Sequence, residues 1–196
     1  VDLGSTIFSA GWASGVNAYA TVAVLGLLGR AGVGEVPPSL TRNPVIVAAS
    51  IMFVIEFVVD KFPYLDTTWD VFHTAIRPAI GSYLGVEFAQ ADHASQVLGG
   101  TEGGATALVS HGVKAGIRLA VNTSPEPITN IVVSSLEDIA AIGVTVLIVT
   151  HPVIAATIAA TLLIAGVITV VLLWRLIRRA WRVWKRQRAR RAGSVP

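Results

Sequence analysis

The stretch VIAATIAATLLIAGVITVVLLW (Val153–Trp174) decides the fold class. It contains no charged residue and has no polar face. As a helix rising 1.5 Å per residue it covers about 33 Å, enough for a hydrocarbon core of about 30 Å. Trp174 stands where an interfacial aromatic anchor belongs, and RLIRRAWRVWKRQRARR follows at once. This is a membrane span with a basic flank.

Working outward, five further stretches read as helices. Ile7–Gly29 is apolar apart from Asn17, and Pro44–Val59 is apolar apart from Glu56. Thr67–Ala89 starts charged and turns apolar after Pro78, Ser95–Val121 carries scattered charge, and Ile128–Thr150 holds Glu137 and Asp138 near its middle. The expected fold is therefore all-α: a polytopic membrane bundle of about six helices over residues 1–174, followed by a basic tail, 175–196, helical at its start. Composition agrees. The 196 residues are 53% hydrophobic and 14% charged, against about 25% charged in an ordinary soluble domain. With no Cys, thiolate metal sites and disulfide scaffolds are excluded.

Charge is segregated. Nine of the 15 Lys and Arg fall in the last 22 residues, so the preceding 174 carry 6 basic against 12 acidic groups. A basic run directly behind an apolar helix points to anionic lipid headgroups, and no nucleic-acid partner is expected. Trp174, Arg175, Arg178, Arg179, Trp181, Arg182 and Trp184 are the candidate lipid-binding residues, Trp recurring at helical spacing; a plain stop-transfer signal needs only a few of these charges. Six crossings with the tail in the cytoplasm put both termini on the cytoplasmic side of the membrane. Ile7–Gly29 lacks a preceding basic region and reads as a retained span.

The helices carry polar stripes. Asp66, Asp70, His73 and Arg77 share one face of the third helix, which is either a solvated interfacial face or an interior one. His111, Lys114, Arg118 and Asn122 repeat the spacing on the fourth. Asn130, Ser134 and Glu137 line the fifth beside Asp138, and Glu56 and Asp60 lie one turn apart on the second. Each intramembrane charge costs at least about 2.5–3.5 kcal/mol, so these groups should face the interior and pair. In particular, Glu137 or Asp138 should bond to the fourth helix.

SGVNAY (Ser14–Tyr19), EFVVDKFPYLD (Glu56–Asp66), WDVFHTAIRP (Trp69–Pro78) and HGVKAGIRLAVNTSPEPITNIVVSSLED (His111–Asp138) resemble a family of small bacterial integral membrane proteins catalogued as a domain of unknown function. The resemblance reaches to about Thr150. It implies a polytopic membrane protein and brings no activity. Its strings contain Asn17, Lys61, Asp66, Asp70, His73, Arg77, Asn122 and Glu126 as well as the stripe residues.

Each half of the chain opens with a glycine-rich helix and follows it with an acidic one. Residues 7–90 and 95–174 are thus read either as an inverted three-plus-three repeat or as recurring membrane-helix composition. Most small-xxx-small pairs, such as Gly81/Gly85, serve helix packing; the four glycines in Gly99–Gly104 suggest a break or re-entrant turn.

No HExxH, P-loop or GxSxG motif occurs and no nucleophile–base set is visible. No catalytic residue, metal or cofactor is expected. The leading reading is a small transporter or translocase. Glu56, Asp60, Glu137 and Asp138 would bind a proton or cation, with His111, Lys114, Arg118 and Asn130 beside them. The alternative is a non-catalytic scaffold or subunit of a larger membrane complex, or of a homo-oligomer.

Overall fold

The computed structural model describes residues 2–62, 65–122 and 127–192. They form six helices and, among the described residues, no strand. The helices are α1 (Leu3–Arg30), α2 (Asn43–Val59), α3 (Leu65–Ala91), α4 (Gln96–Val121), α5 (Pro127–Thr150) and α6 (Pro152–Ala192). Local chemistry sets several starts. Asp2 caps α1 by accepting from the Ser5 amide at 3.1 Å, Ser95 caps α4, and Pro44 opens α2.

Three helices are long and apolar enough to cross a membrane: Leu3–Arg30, Ile128–Thr150 and Pro152–Arg179. The first of them does not run straight. Asn17 leaves the helical region (φ −148°, ψ 98°), and its side-chain Oδ1 accepts from the Ala20 amide at 2.9 Å. Asn17 is thus the N-cap of a second helical half. Each half has about 14 residues and covers about 21 Å.

The halves fold back on each other. Leu3 and Thr6, at the start of α1, border the same hollow as Glu35, Phe88, Asp92 and Val149. Just beyond the other end of α1, a methyl group on Gly34 would lie 2.6 Å from Val149 Cβ, and Ser39 donates to Glu87 at 2.5 Å. A straight helix of 28 residues would hold its ends about 42 Å apart. Both ends of α1 therefore sit at the end of the bundle where α3 and α5 finish, and Asn17 is the apex of a V pointing into the interior.

This corrects the expectation of six crossings with both termini on one side. Five helices, α2 to α6, run through the bundle, and Leu3 lies at the opposite end from the tail. The physical reason is the break, which spends an apolar stretch of spanning length on a hairpin. The two helices that open the halves of the chain also differ in path, since α4 runs unbroken along the bundle and α1 turns back at Asn17.

The Gly99–Gly104 segment holds no break or turn either; it is inside α4. Its glycines are buried against α3. A Cβ on Gly99 would lie 2.5 Å from the Gly85 carbonyl oxygen, and one on Gly103 would strike that of Gly81. Close packing of the two backbones offsets the helix propensity lost at each glycine. The packed α3–α4 pair and α1 form the centre, with α2, α5 and α6 outside. α2 and α6 turn large apolar side chains outward, among them Val47, Ile51, Ile164 and Leu172, as a lipid-facing surface would. α6 continues past Trp174 without interruption to Ala192.

Candidate functional site

The apex of α1 is where the polar stripes meet. Breaking a helix strips the preceding carbonyls of their amide partners, and buried carbonyls need replacements. Arg77 Nη1 donates to the Gly15 carbonyl at 3.1 Å and Lys114 Nζ to that of Val16 at 3.0 Å. Cations therefore stand at the negative end of the first half-helix. On the other side of the break, Asn17 Nδ2 donates to Asp138 Oδ1 at 2.9 Å. Asp138 lies at the positive end of the second half-helix.

From there the network spreads through α2 to α5. Arg77 bonds Glu56 directly and lies 3.4 Å from Asp70. Lys114 reaches Asp60 at 2.9 Å and Glu56 at 3.5 Å. Arg118 is the hub: Nε and Nη2 donate to Glu137 Oε2 at 3.0 and 2.6 Å, Nη2 to Asp60 Oδ2 at 3.2 Å, and Nη1 to Asp66, Asn130 and the Asp60 carbonyl. Lys61 bonds Ser134, lies 3.4 Å from Asp138 and rests its ammonium on the Phe57 ring. Asn122 Nδ2 donates to both oxygens of Asp66, and Asn130 Nδ2 to the Asp60 carbonyl.

The expected pairing of Glu137 with the fourth helix is thus present, through Arg118. The α3 stripe proves to be interior: Asp66, Asp70, His73 and Arg77 are all buried. Of the candidate residues, Glu56, Asp60, Asp66, Asp70, Arg77, His111, Lys114, Arg118, Asn122, Asn130 and Glu137 join one network, and Asn17, Lys61 and Asp138 form a smaller cluster beside it. His73 lies beside it, and Glu126 lies outside the described residues.

Two histidines have their tautomers set by their partners. Arg77 Nη1 donates to His111 Nδ1 at 2.9 Å, so Nε2 carries the hydrogen and faces the Asp70 carbonyl and Thr74 Oγ1, each 3.2 Å away. His73 Nδ1 donates to the Trp69 carbonyl at 2.8 Å, and Nε2 accepts from the Tyr19 hydroxyl at 2.9 Å. Trp69 stacks on the His73 ring with centroids 4.6 Å apart.

Two properties separate this network from a simple clamp. Among the described residues, six carboxyl groups face four cations within salt-bridge distance, a formal excess of two acidic groups. In addition, Glu56 Oε2 and Asp60 Oδ1 are buried without a hydrogen-bond partner, a costly state for a carboxylate in a low-dielectric interior. Both features fit the uptake of a proton or a small cation at Glu56 and Asp60. No group of three or more metal-ligating side chains is found among the described residues.

The network is approached from two flanks. A cavity of about 250 Å³ among α1, α4, α5 and α6 is bordered by Lys114 and Glu137. A second, of about 200 Å³, lies between α3 and α4 and is bordered by Asp70, Thr74 and Arg118.

A family model describing a domain of unknown function, DUF4126, matches residues 5–178. The chain belongs to the DUF4126 family. No curated protein and no solved structure matches it. The DUF4126 match takes in the whole network, the broken helix and the start of the tail.

Sequence reasoning missed the break at Asn17 and the roles of Tyr19, Thr74 and Ser110, whose hydroxyl donates to the Trp12 carbonyl at 3.0 Å. A single strongly polar residue in an otherwise apolar helix was the available signal. In the tail, Trp174, Trp181 and Trp184 are exposed, Arg178 stands over Trp174, and Lys185 over Trp181. Arg175, Arg179 and Arg182 are exposed too.

Proposed function

We propose that this chain is a small integral membrane transporter or translocase of the bacterial plasma membrane, driven by a proton or small cation at Glu56 and Asp60. The observation that carries the reading is the broken re-entrant helix, with its apex seated in a buried ionic network with a formal excess of two acidic groups. Non-helical backbone at membrane depth is tolerated where it is enclosed by protein or lines a cavity, and discontinuous helices form the binding sites of many secondary transporters. The cavities flanking Glu137 and Asp70 supply an approach from either side. Ion uptake at Glu56 and Asp60 would weaken their hold on Lys114 and Arg77. Those cations also hold the Val16 and Gly15 carbonyls, so the change would reach the break.

By the positive-inside rule the tail is cytoplasmic, which puts the Leu3 end of α1 and the Arg30–Asn43 loop on the outer side. The exposed arginines of the tail would meet anionic headgroups there.

The density of pairing around Arg118 favours a second reading, a scaffold whose charges fix helix positions for a membrane partner or a second copy. One experiment separates the two. Purified protein in liposomes under an imposed pH gradient should dissipate it, followed with an internal pH dye, and Glu56→Gln and Asp60→Asn should each reduce the rate at least tenfold. Wild-type liposomes as tight as protein-free ones to protons and to monovalent cations would leave the scaffold.

A further inference from the structure

The cavity among α1, α4, α5 and α6 is built like a ligand site. Trp12, Val113, Ile117, Leu136 and Leu163 give it apolar walls, and Glu137 stands at its polar end. All the cation contacts to Glu137 fall on Oε2, from Arg118 at 2.6 and 3.0 Å and from Lys114 at 4.0 Å. That leaves Oε1 for a ligand, on a side chain that keeps 16% of its surface exposed. Lys114 also borders the cavity, but its ammonium is held by Asp60, Glu56 and the Val16 carbonyl and is almost wholly buried. The group on offer is therefore the Glu137 carboxylate, in a network with a formal excess of two acidic groups. Leu136 and Leu162 at the rim are 60% and 39% exposed on the outer face of the bundle, so the mouth opens sideways between helices.

We infer that this cavity binds an organic cation with a compact apolar body, its charged head on Glu137 and its body against Trp12. Apolar walls select the body and the carboxylate selects the sign. Size agrees. An apolar cavity of about 150 Å³ admits benzene, so one of about 250 Å³ has room for a ring with a small ammonium head. A cation on Glu137 Oε1 would share the carboxylate with Arg118 on Oε2, and Arg118 also holds Asp60. The site thus names a substrate class for the transport reading and rests on that reading for its purpose, while its occupancy is measured separately.

The test is equilibrium dialysis of radiolabelled trimethylphenylammonium against the purified full chain in detergent. Wild type should bind it saturably. Tetramethylammonium, lacking the apolar body, and 4-tert-butylbenzoate, with the opposite charge, should each compete at least tenfold less well than unlabelled probe. Glu137→Gln should weaken binding at least tenfold. Leu136→Trp narrows the mouth without touching the network and should do the same, so the inference stays testable if Glu137→Gln fails to fold. Absence of saturable binding, equal competition by the benzoate, or wild-type affinity in a folded Glu137→Gln chain would each overturn it. Binding with this pattern but no proton or cation flux in liposomes would instead remove the transport reading and leave the site standing.

Discussion

Asn17 and Asp138 are joined by a 2.9 Å hydrogen bond between residues 121 positions apart, and that bond fixes the apex of α1 to α5. The same Asn17 caps the second half of α1 through the Ala20 amide, so one side chain both ends one half-helix's run and anchors the next.

Asn17→Ala should therefore lose a cap, worth about 1 kcal/mol, and leave the buried Asp138 carboxylate short of a donor, about 1–3 kcal/mol more. Asn17→Asp keeps the cap but sets a second carboxylate against Asp138, and should be the less stable of the two. Thermal unfolding in detergent gives the order, and the reverse order would mean that the cap outweighs the cross-bundle bond.

Arg118 should be the least replaceable cation. Removing it leaves Glu137, Asp60 and Asp66 partly unpaired in the interior, a loss of about 3–5 kcal/mol. Arg118→Lys should recover little, because a point charge cannot serve Glu137, Asp60, Asp66 and Asn130 from one planar fork. Folded yield and denaturant midpoint would report this, and full recovery by Lys would contradict it.

The glycines of α3 and α4 divide into two kinds. Gly85→Val on α3 drives a side chain into the Gly99 backbone and should cost about 1–3 kcal/mol or prevent α3–α4 packing altogether. Gly112→Ala meets nothing within 4 Å and should stabilise α4 by about 0.5–1 kcal/mol through helix propensity. A stability ranking of the two variants tests the assignment.

The re-entrant path makes a topological prediction that the absence of Cys renders direct to check. Single cysteines at Gly4 and Glu35 should react with an impermeant thiol reagent from the same side of the membrane, and one at Arg182 from the other. Labelling of Gly4→Cys and Arg182→Cys from one side would restore a chain with an even number of crossings.

Much of this was legible in the sequence. The bounds of all six helices follow from apolar runs and their caps to within a few residues, except that α6 goes well beyond its span. The stripes of α2, α4 and α5 pointed inward because bare charge in hydrocarbon is expensive, whereas that of α3 read equally well as a solvated interfacial face. Two features escaped. The glycines at 99–104 read as helix breakers, whereas the decisive quantity is the close approach to Gly81 and Gly85, a tertiary gain invisible to local propensity. The break at Asn17 lies in an apolar, Pro-free stretch of spanning length, and what holds it open comes from Arg77, Lys114 and Asp138, all distant in the chain.

That distance orders the assembly of the protein in time. The carbonyls at the apex take their donors from residues 62 and 98 positions downstream. When the first apolar stretch leaves the ribosome neither donor has been made, and the cheapest state for its backbone is an unbroken helix. The donors that hold the V are complete only after α4 has been delivered, so the arrival of Lys114 is the earliest moment at which both apex carbonyls can be satisfied as they are in the folded chain.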